Sequence, residues 1–161
     1  MSNGIKVKKR DGRIESLDLD KMHLMVDEAC QGLAGVSASQ VEMKSGIQFY
    51  DGITTEEIQE ILIKAASDLI DLDHPNYQFV AARLLLFALR KQLYGKMREL
   101  PHLEPHIMSC TNIDVYDKGI FDKYSKEEID KANSFIDHDR DFMFTYAGLR
   151  QVVDKYLVQD R

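Results

Sequence analysis

The sequence predicts a mainly α protein: a four-helix module opened by a small β-hairpin or short sheet, followed by additional helices. Three observations lead there. An Asp11-Gly12 pair sits between two short extended runs, two later stretches repeat apolar residues at helical spacing, and residues 77–94 are apolar nearly all round.

Ile5 to Arg10 and Arg13 to Ser16 flank Asp11-Gly12, and such a pair between extended runs is the strongest short-range hairpin pattern. A two-residue loop pairs Lys8 with Glu15, and a three-residue loop places Lys9 opposite Glu15. In both registers cations gather near one carboxylate. Asp18 or Asp20 can cap the next helix, whose Met22, Met25, Val26, Ala29, Cys30 and Leu33 repeat at i, i+3, i+4 and i+7. Cys30 lies inside that stripe, so packing is its expected role. Ser39 with Glu42 reads as a capping box for a second helix to about Phe49, and Asp51-Gly52 marks a turn. Thr54 with Glu57 is another capping box. The stripe of Ile58, Ile61, Leu62, Ala65, Ala66, Leu69 and Ile70 follows it. Asp73-His74-Pro75 ends this third helix, because the residue before proline avoids helical geometry. A fourth helix runs from about Tyr77 to Tyr94, stops at Gly95 and, being apolar nearly all round, belongs at the centre.

A first domain is therefore expected over 1–95. Pro101 and Pro105 make 96–105 a linker, which opens a second segment, 96–161, holding a partial helical domain. In it Ser125 and Glu128 form a third capping box for a helix to about Ile136. Phe142 to Leu157 gives one more helical stretch.

With 161 residues, 44% hydrophobic and 30% charged, the chain can bury one good core or one compact module with an extension. The net charge of −6 argues against a dedicated nucleic-acid binder, whose phosphate-facing surface is normally basic. The polar opening lacks a signal-peptide pattern. The apolar run Phe79 to Leu89 is interrupted by Arg83 and followed by Arg90 and Lys91, too short and too charged to span a bilayer. Cys30 and Cys110 have neither a CxxC spacing nor a histidine at ligand distance, so no zinc site or disulfide framework is read. The expectation is a cytoplasmic protein with no membrane and no nucleic-acid partner.

Lys6, Lys8, Lys9 and Arg10 sit beside the tight turn, with Glu15 close behind and Lys21 on the first helix. Lysine and arginine grip phosphate through charge-assisted hydrogen bonds, and a carboxylate can accept from an adenine amino group or ribose hydroxyls. The same residues equally read as a solvated edge strand that its lysines keep from aggregating. No glycine-rich loop of Rossmann or Walker spacing is present. Thr55, Ile58 and Gln59 share one turn of the third helix, as a hydroxyl, an apolar group and an amide on one face, or simply as a cap and its neighbours. Lys91 is a cation that packing does not require, although helix ends also attract lysine through the dipole.

Three blocks carry a family likeness. VKKRDGRIESLDLDKMH, IQFYDGITTEEIQEILIKAASDLI and YQFVAARLLLFALRKQLYG resemble the ATP cone of ribonucleotide reductases, and FIDHDRDFMFTYAGLRQVVDKYLVQDR resembles the segment that follows the cone in class I large subunits. A cone-bearing repressor would carry a zinc ribbon ahead of the cone, and no cysteine precedes Cys30 here. The resemblance implies an allosteric site for ATP or dATP with Mg, and no metal held by protein ligands. Lys9, Arg10, Lys21 and Lys91 match the family's phosphate-side cations. Glu15, Ser16, Leu17 and Asp18 match its base and ribose contacts, with Met22, Ile58 and Gln59 in the same pocket, and Thr55 matches its hydroxyl.

Two positions depart from the family pattern. Gln59 stands where relatives often have histidine or aspartate, and Asp18 where some have asparagine. An amide at 59 cannot take a charge, and Asp18 adds repulsion near a triphosphate, so weakened or absent dATP inhibition is expected. The thiyl-radical and redox cysteines of the family, with their barrel, match nothing in this sequence. The resemblance therefore implies a regulatory component, inactive alone, partnered by adenine nucleotide, by the remaining large-subunit barrel and by the radical-generating small subunit. It would be an excised piece or one half of a split subunit. The alternative is a stand-alone nucleotide-sensing interaction module.

Overall fold

A computed structural model describes residues 4–158, so the last three positions of the second segment and its QDR ending lie outside the described residues. The chain opens with a hairpin of β1 (Lys6–Lys8) and β2 (Ile14–Ser16), paired antiparallel as Lys6 with Ser16, Val7 with Glu15 and Lys8 with Ile14. The loop has three residues, Arg10 to Gly12. Lys9 N–H donates to the Arg13 carbonyl at 2.8 Å, Gly12 N–H to the Lys9 carbonyl at 2.9 Å, and Gly12 adopts φ +86°, which an L side chain rarely adopts. Neither expected register formed, because the turn uses Arg10 as a loop residue and leaves Arg13 in the ladder.

A third strand, β3 (Ile53–Thr54), pairs parallel with β1, Val7 beside Ile53 and Lys8 beside Thr54, giving the order β2-β1-β3. The lysine-bearing strand is thus central, and its lysines do not guard an edge. Val7 and Ile53 point into the core, 3% and 0% exposed.

Four helices complete the first unit: α1 (Leu19–Cys30), α2 (Ala38–Gly46), α3 (Thr55–Ser67) and α4 (Tyr77–Tyr94). Asp18 caps α1, and Thr54 with Glu57 forms a reciprocal capping box on α3, both as the sequence implies. The box expected from Ser39 and Glu42 is absent. Ser37 takes the cap position of α2, and Glu42 turns instead to His23 Nδ1 on α1 at 2.8 Å. The helix also ends at Gly46, short of Phe49. α3 stops at Ser67 because Asp71 draws the following backbone into a turn, accepting from the amides of Asp73 and His74 at 2.9 and 2.6 Å.

As its pattern predicts, α4 is the central helix. It packs against α1 and α3, and its Gly95 cap is left-handed at φ +70°. The core gathers Val26 and Ala29 of α1, Val41 of α2, Leu62, Ala65 and Ala66 of α3, and Val80, Leu84 and Phe87 of α4. Tyr77 is 1% exposed, and its hydroxyl donates to Gln40 Oε1 at 2.6 Å while accepting from Ser37 N–H at 3.0 Å. That satisfies its one polar atom. Arg83 Nη1 closes the end of α1 through the carbonyls of Ala29 and Gln31, at 3.1 and 2.7 Å.

Beyond Gly95 the chain adds α5 (Leu103–Asn112), α6 (Ile120–Lys123), α7 (Lys126–Asn133), a 3₁₀ turn (His138–Met143) and α8 (Tyr146–Lys155). The Ser125 capping box on α7 formed. α5 begins inside the stretch read as linker. Pro105 falls in its first turn, where no donor is needed, and Asn133 at the end of α7 accepts from Leu103 N–H at 2.8 Å. The stretch from Phe142 splits in two, since Thr145 caps α8 by accepting from Gly148 N–H at 3.2 Å. α8 packs on α4, with Leu149 in the common core. Phe142 lies between the guanidinium groups of Arg83 and Arg90, 5.7 and 5.4 Å from its ring centre, and edge-on to Phe87. Arg90 Nη2 meets Asp141 Oδ2 at 2.7 Å. No helix among the described residues is long and apolar enough to cross a membrane.

Arg90 is 8% exposed, so losing Asp141 strands a nearly buried charge. Asp141→Ala is expected to lower stability by about 2 kcal/mol in urea denaturation, below the ~3–5 of a fully buried pair because Asp141 is partly in water. Arg150→Ala, which breaks the surface pair with Asp154, should stay within about 0.5 kcal/mol.

Candidate functional site

The parallel pairing of β3 with β1 builds the site. It carries the start of α3 beside the hairpin, and two residues beyond the Lys8 and Thr54 pair Arg10 meets Glu56. Arg10 Nε donates to Glu56 Oε1, and its Nη2 lies 3.4 Å from Gln59 Oε1. Partial burial would raise the Glu56 carboxyl. Its own backbone amide, the Arg10 guanidinium and the Thr55 hydroxyl outweigh this and hold it below the ordinary carboxylate value. Thr55 Oγ1 donates to Glu56 Oε2 at 3.2 Å.

Lys9 Nζ lies 3.4 Å from Glu15 Oε2, and Arg13 Nη1 reaches the other oxygen of that carboxylate at 3.2 Å. The cation beside Glu15 was legible in the sequence, although the register that delivers it was not. Lys21 Nζ pairs with Asp18 Oδ2 at 3.1 Å, and Asp18 also accepts from Lys21 N–H at 3.0 Å. That amide, and then the ammonium, hold Asp18 below its usual range, so it is ionised with its own counter-ion beside it. The repulsion expected from Asp18 is correspondingly offset.

Lys91 completes the group from the last turn of α4. It is half-buried, and among the described residues no carboxylate makes an ion pair with its Nζ. Burial lowers its pKa first, followed by the charges of Lys9 and Arg10; Glu56 opposes them, and Lys21 adds to the lowering. Cations from the hairpin and from α1 therefore both act on Lys91.

The remaining predicted residues divide by environment. Ile58 is buried at 7% exposure in the core, and Leu17 from the hairpin's exit and Met22 of α1 are partly buried hydrophobics packed on that core. Ser16 is engaged by Lys6 Nζ at 3.1 Å. Gln59 is buried at 7% exposure, its carbonyl turned to Arg10. Glu56 is the site residue that sequence reasoning missed. An acidic residue in the first turn of a helix is ordinary, and only the pairing of β3 with β1 makes it face a basic loop. Cys30 is pushed up to about 11 by burial foremost, as suits a packing thiol.

Chemically, the arrangement sets cations of the hairpin, α1 and α4 near one another, with Arg10 reaching the polar first turns of α3. A half-buried ammonium repelled by its neighbours favours an anion, since one would neutralise what the protein leaves uncompensated. A triphosphate fits this donor set. Residues 5–92, more than half of the chain, match the ATP cone domain, and the chain belongs to that family.

Full-length relatives extend the likeness beyond the cone. Over all 161 residues the chain is 49% identical to ribonucleoside-diphosphate reductase 1 subunit alpha of Escherichia coli (strain K12) and 48% identical to the Haemophilus influenzae alpha subunit. It is 42% identical over 159 residues to that of Enterobacteria phage T4. It covers 98–100% of its own length in these matches and 21% of each relative, so it spans about a fifth of the relatives it matches.

The lowered pKa of Lys91 has a definite sign. Between its folded-state value and the ordinary 10.5 the unfolded chain binds more protons, so stability rises with pH as 10.5 is approached from below. Lys91→Met is expected to flatten that rise in urea titrations of the nucleotide-free chain. The same slope in variant and parent would count against an uncompensated ammonium at this position.

Proposed function

We propose that this chain is the adenine-nucleotide-sensing, regulatory portion of a ribonucleoside-diphosphate reductase large subunit. The observation that carries this reading is that the charges of Lys9, Arg10 and Lys21 all act on the half-buried Lys91, which has no ion pair with a carboxylate among the described residues. Those four would hold the phosphates of ATP or dATP. Glu15, Ser16, Leu17 and Asp18 would face base and ribose, Thr55 and Gln59 would add a hydroxyl and an amide, and Met22 and Ile58 would close the apolar side. Mg would arrive with the triphosphate and offset its charge.

On this reading residues 1–95 form the cone, and 96–161 form a linker and the start of the next helical domain. The effector supplies charge and binding energy, not chemistry. The chain contributes to deoxyribonucleotide synthesis only when assembled in the cytoplasm with the catalytic barrel of the large subunit and the radical-generating small subunit. The extent of the match to alpha subunits supports this assembly.

Isothermal titration of the chain with MgATP tests the reading. Lys9→Ala combined with Lys91→Ala is expected to weaken binding by about tenfold or more, as loss of two charge-assisted contacts implies. Unchanged affinity in the double variant would refute the pocket.

Gln59 bears on nucleotide choice. Its carbonyl is turned to Arg10, which leaves its amide nitrogen as the group able to donate to a sugar hydroxyl. Such a donor favours ATP, which has the 2′-hydroxyl, over dATP. Affinities for the two nucleotides are expected to be comparable, or to favour ATP. dATP binding at least tenfold tighter, with inhibition of the assembled enzyme, would overturn this.

A further inference from the structure

Three of the four clustered cations have a carboxylate partner: Lys9 has Glu15, Lys21 has Asp18 and Arg10 has Glu56. The Glu15 carboxylate is shared with Arg13, and Asp18 also caps α1. Glu56 takes the Thr55 hydroxyl and lies beside its own amide in the first turn of α3, but it closes no cap. The capping box on Thr54 is made by its neighbour Glu57, which also takes the Tyr50 hydroxyl at 2.7 Å, so the cap of α3 does not depend on Glu56.

We propose that Glu56 is a built-in competitor of the nucleotide's phosphates, occupying the Arg10 guanidinium that a bound triphosphate engages and thereby lowering the affinity of the pocket. This rests on the reading of the pocket as a nucleotide site. Carboxylate and phosphate present equivalent oxygen edges to a guanidinium, so one replaces the other on the same donors. The exchange is easy. The two side chains are 36% and 43% exposed, so the pair is hydrated and screened rather than locked. The released carboxylate has room, because Arg10, Glu56 and Gln59 border a cavity of about 470 Å³ between α3, α4 and α8. The consequence for Lys91 runs the same way. Glu56 partly offsets the cations around Lys91, and an arriving phosphate takes over that role with more charge.

The test is titration of the whole chain with ATP, with inorganic tripolyphosphate and with adenosine, comparing the parent with Glu56→Gln. The variant is expected to bind ATP and tripolyphosphate about two- to fivefold tighter, as release of a half-exposed ion pair permits. The gain should shrink at high salt, and adenosine should show none. Glu60→Gln makes the same change in net charge on an exposed residue of α3 that borders the same cavity but forms no hydrogen bond or ion pair with Arg10 among the described residues. An equal gain there would mean bulk charge and overturn the proposal. Equal or weaker triphosphate binding by Glu56→Gln would overturn it too. Should that variant fold poorly by thermal melting, Glu56→Asp, whose shorter side chain reaches Arg10 less well, is expected to give a smaller gain in the same direction, and no gain would be decisive. The two readings fail differently. If ATP binds and depends on Lys91 but Glu56→Gln brings no gain, only the competitor falls. If the parent binds neither ATP nor tripolyphosphate, the pocket falls with it.

Discussion

The parallel contact between β1 and β3 is the constraint on which the site depends. Two residue pairs, Val7 with Ile53 and Lys8 with Thr54, bring together stretches separated by two helices. Val7 and Ile53 are buried, so the pairing is anchored by apolar contact and not by its few ladder bonds. Thr54 belongs to this strand and also caps α3. One residue therefore ties the sheet to the helix, and with it Arg10 to Glu56 and Gln59. A slip of one residue would reverse the faces of Val7 and Ile53 and scatter the cations.

α4 then relates the site to the rest of the chain. Arg90 and Lys91 are adjacent, and neighbours on a helix point about 100° apart. Arg90 turns to Asp141 and Phe142 of the extension, while Lys91 faces the charges of Lys9 and Arg10. The C-terminal end of α4 thus carries, on adjacent residues, an ammonium with no ion-pair partner among the described residues and the clamp on the segment leading to α8.

The family resemblance accounts for the cationic residues, and the structure explains how a strongly acidic chain keeps them positive toward one another. Among the described residues Lys9, Lys21 and Arg10 each have a carboxylate, in Glu15, Asp18 and Glu56, and Lys91 forms no ion pair with one. Within the pocket the negative groups have distinct partners, which makes the local field far more structured than the net charge of −6 conveys.

Much of the architecture was legible because it is local. The Asp11-Gly12 turn, the caps at Asp18, Thr54 and Ser125, and the span of α4 to Gly95 all depend on groups a few residues apart, whose hydrogen bonds and φ preferences the sequence states directly. Where a distant partner competes, local reading failed. Glu42 leaves its expected cap for His23, α5 starts early because Asn133 receives its first amide, and β3 exists because β1 offers it a ladder. The same division runs through the site. Sequence alone determined which cations and which hydroxyl stand near the hairpin and helix starts. Tertiary structure alone decided that Glu56 holds Arg10 and that, among the described residues, no carboxylate pairs with Lys91, because side-chain partners across the fold are set by packing and strand pairing rather than by spacing along the chain.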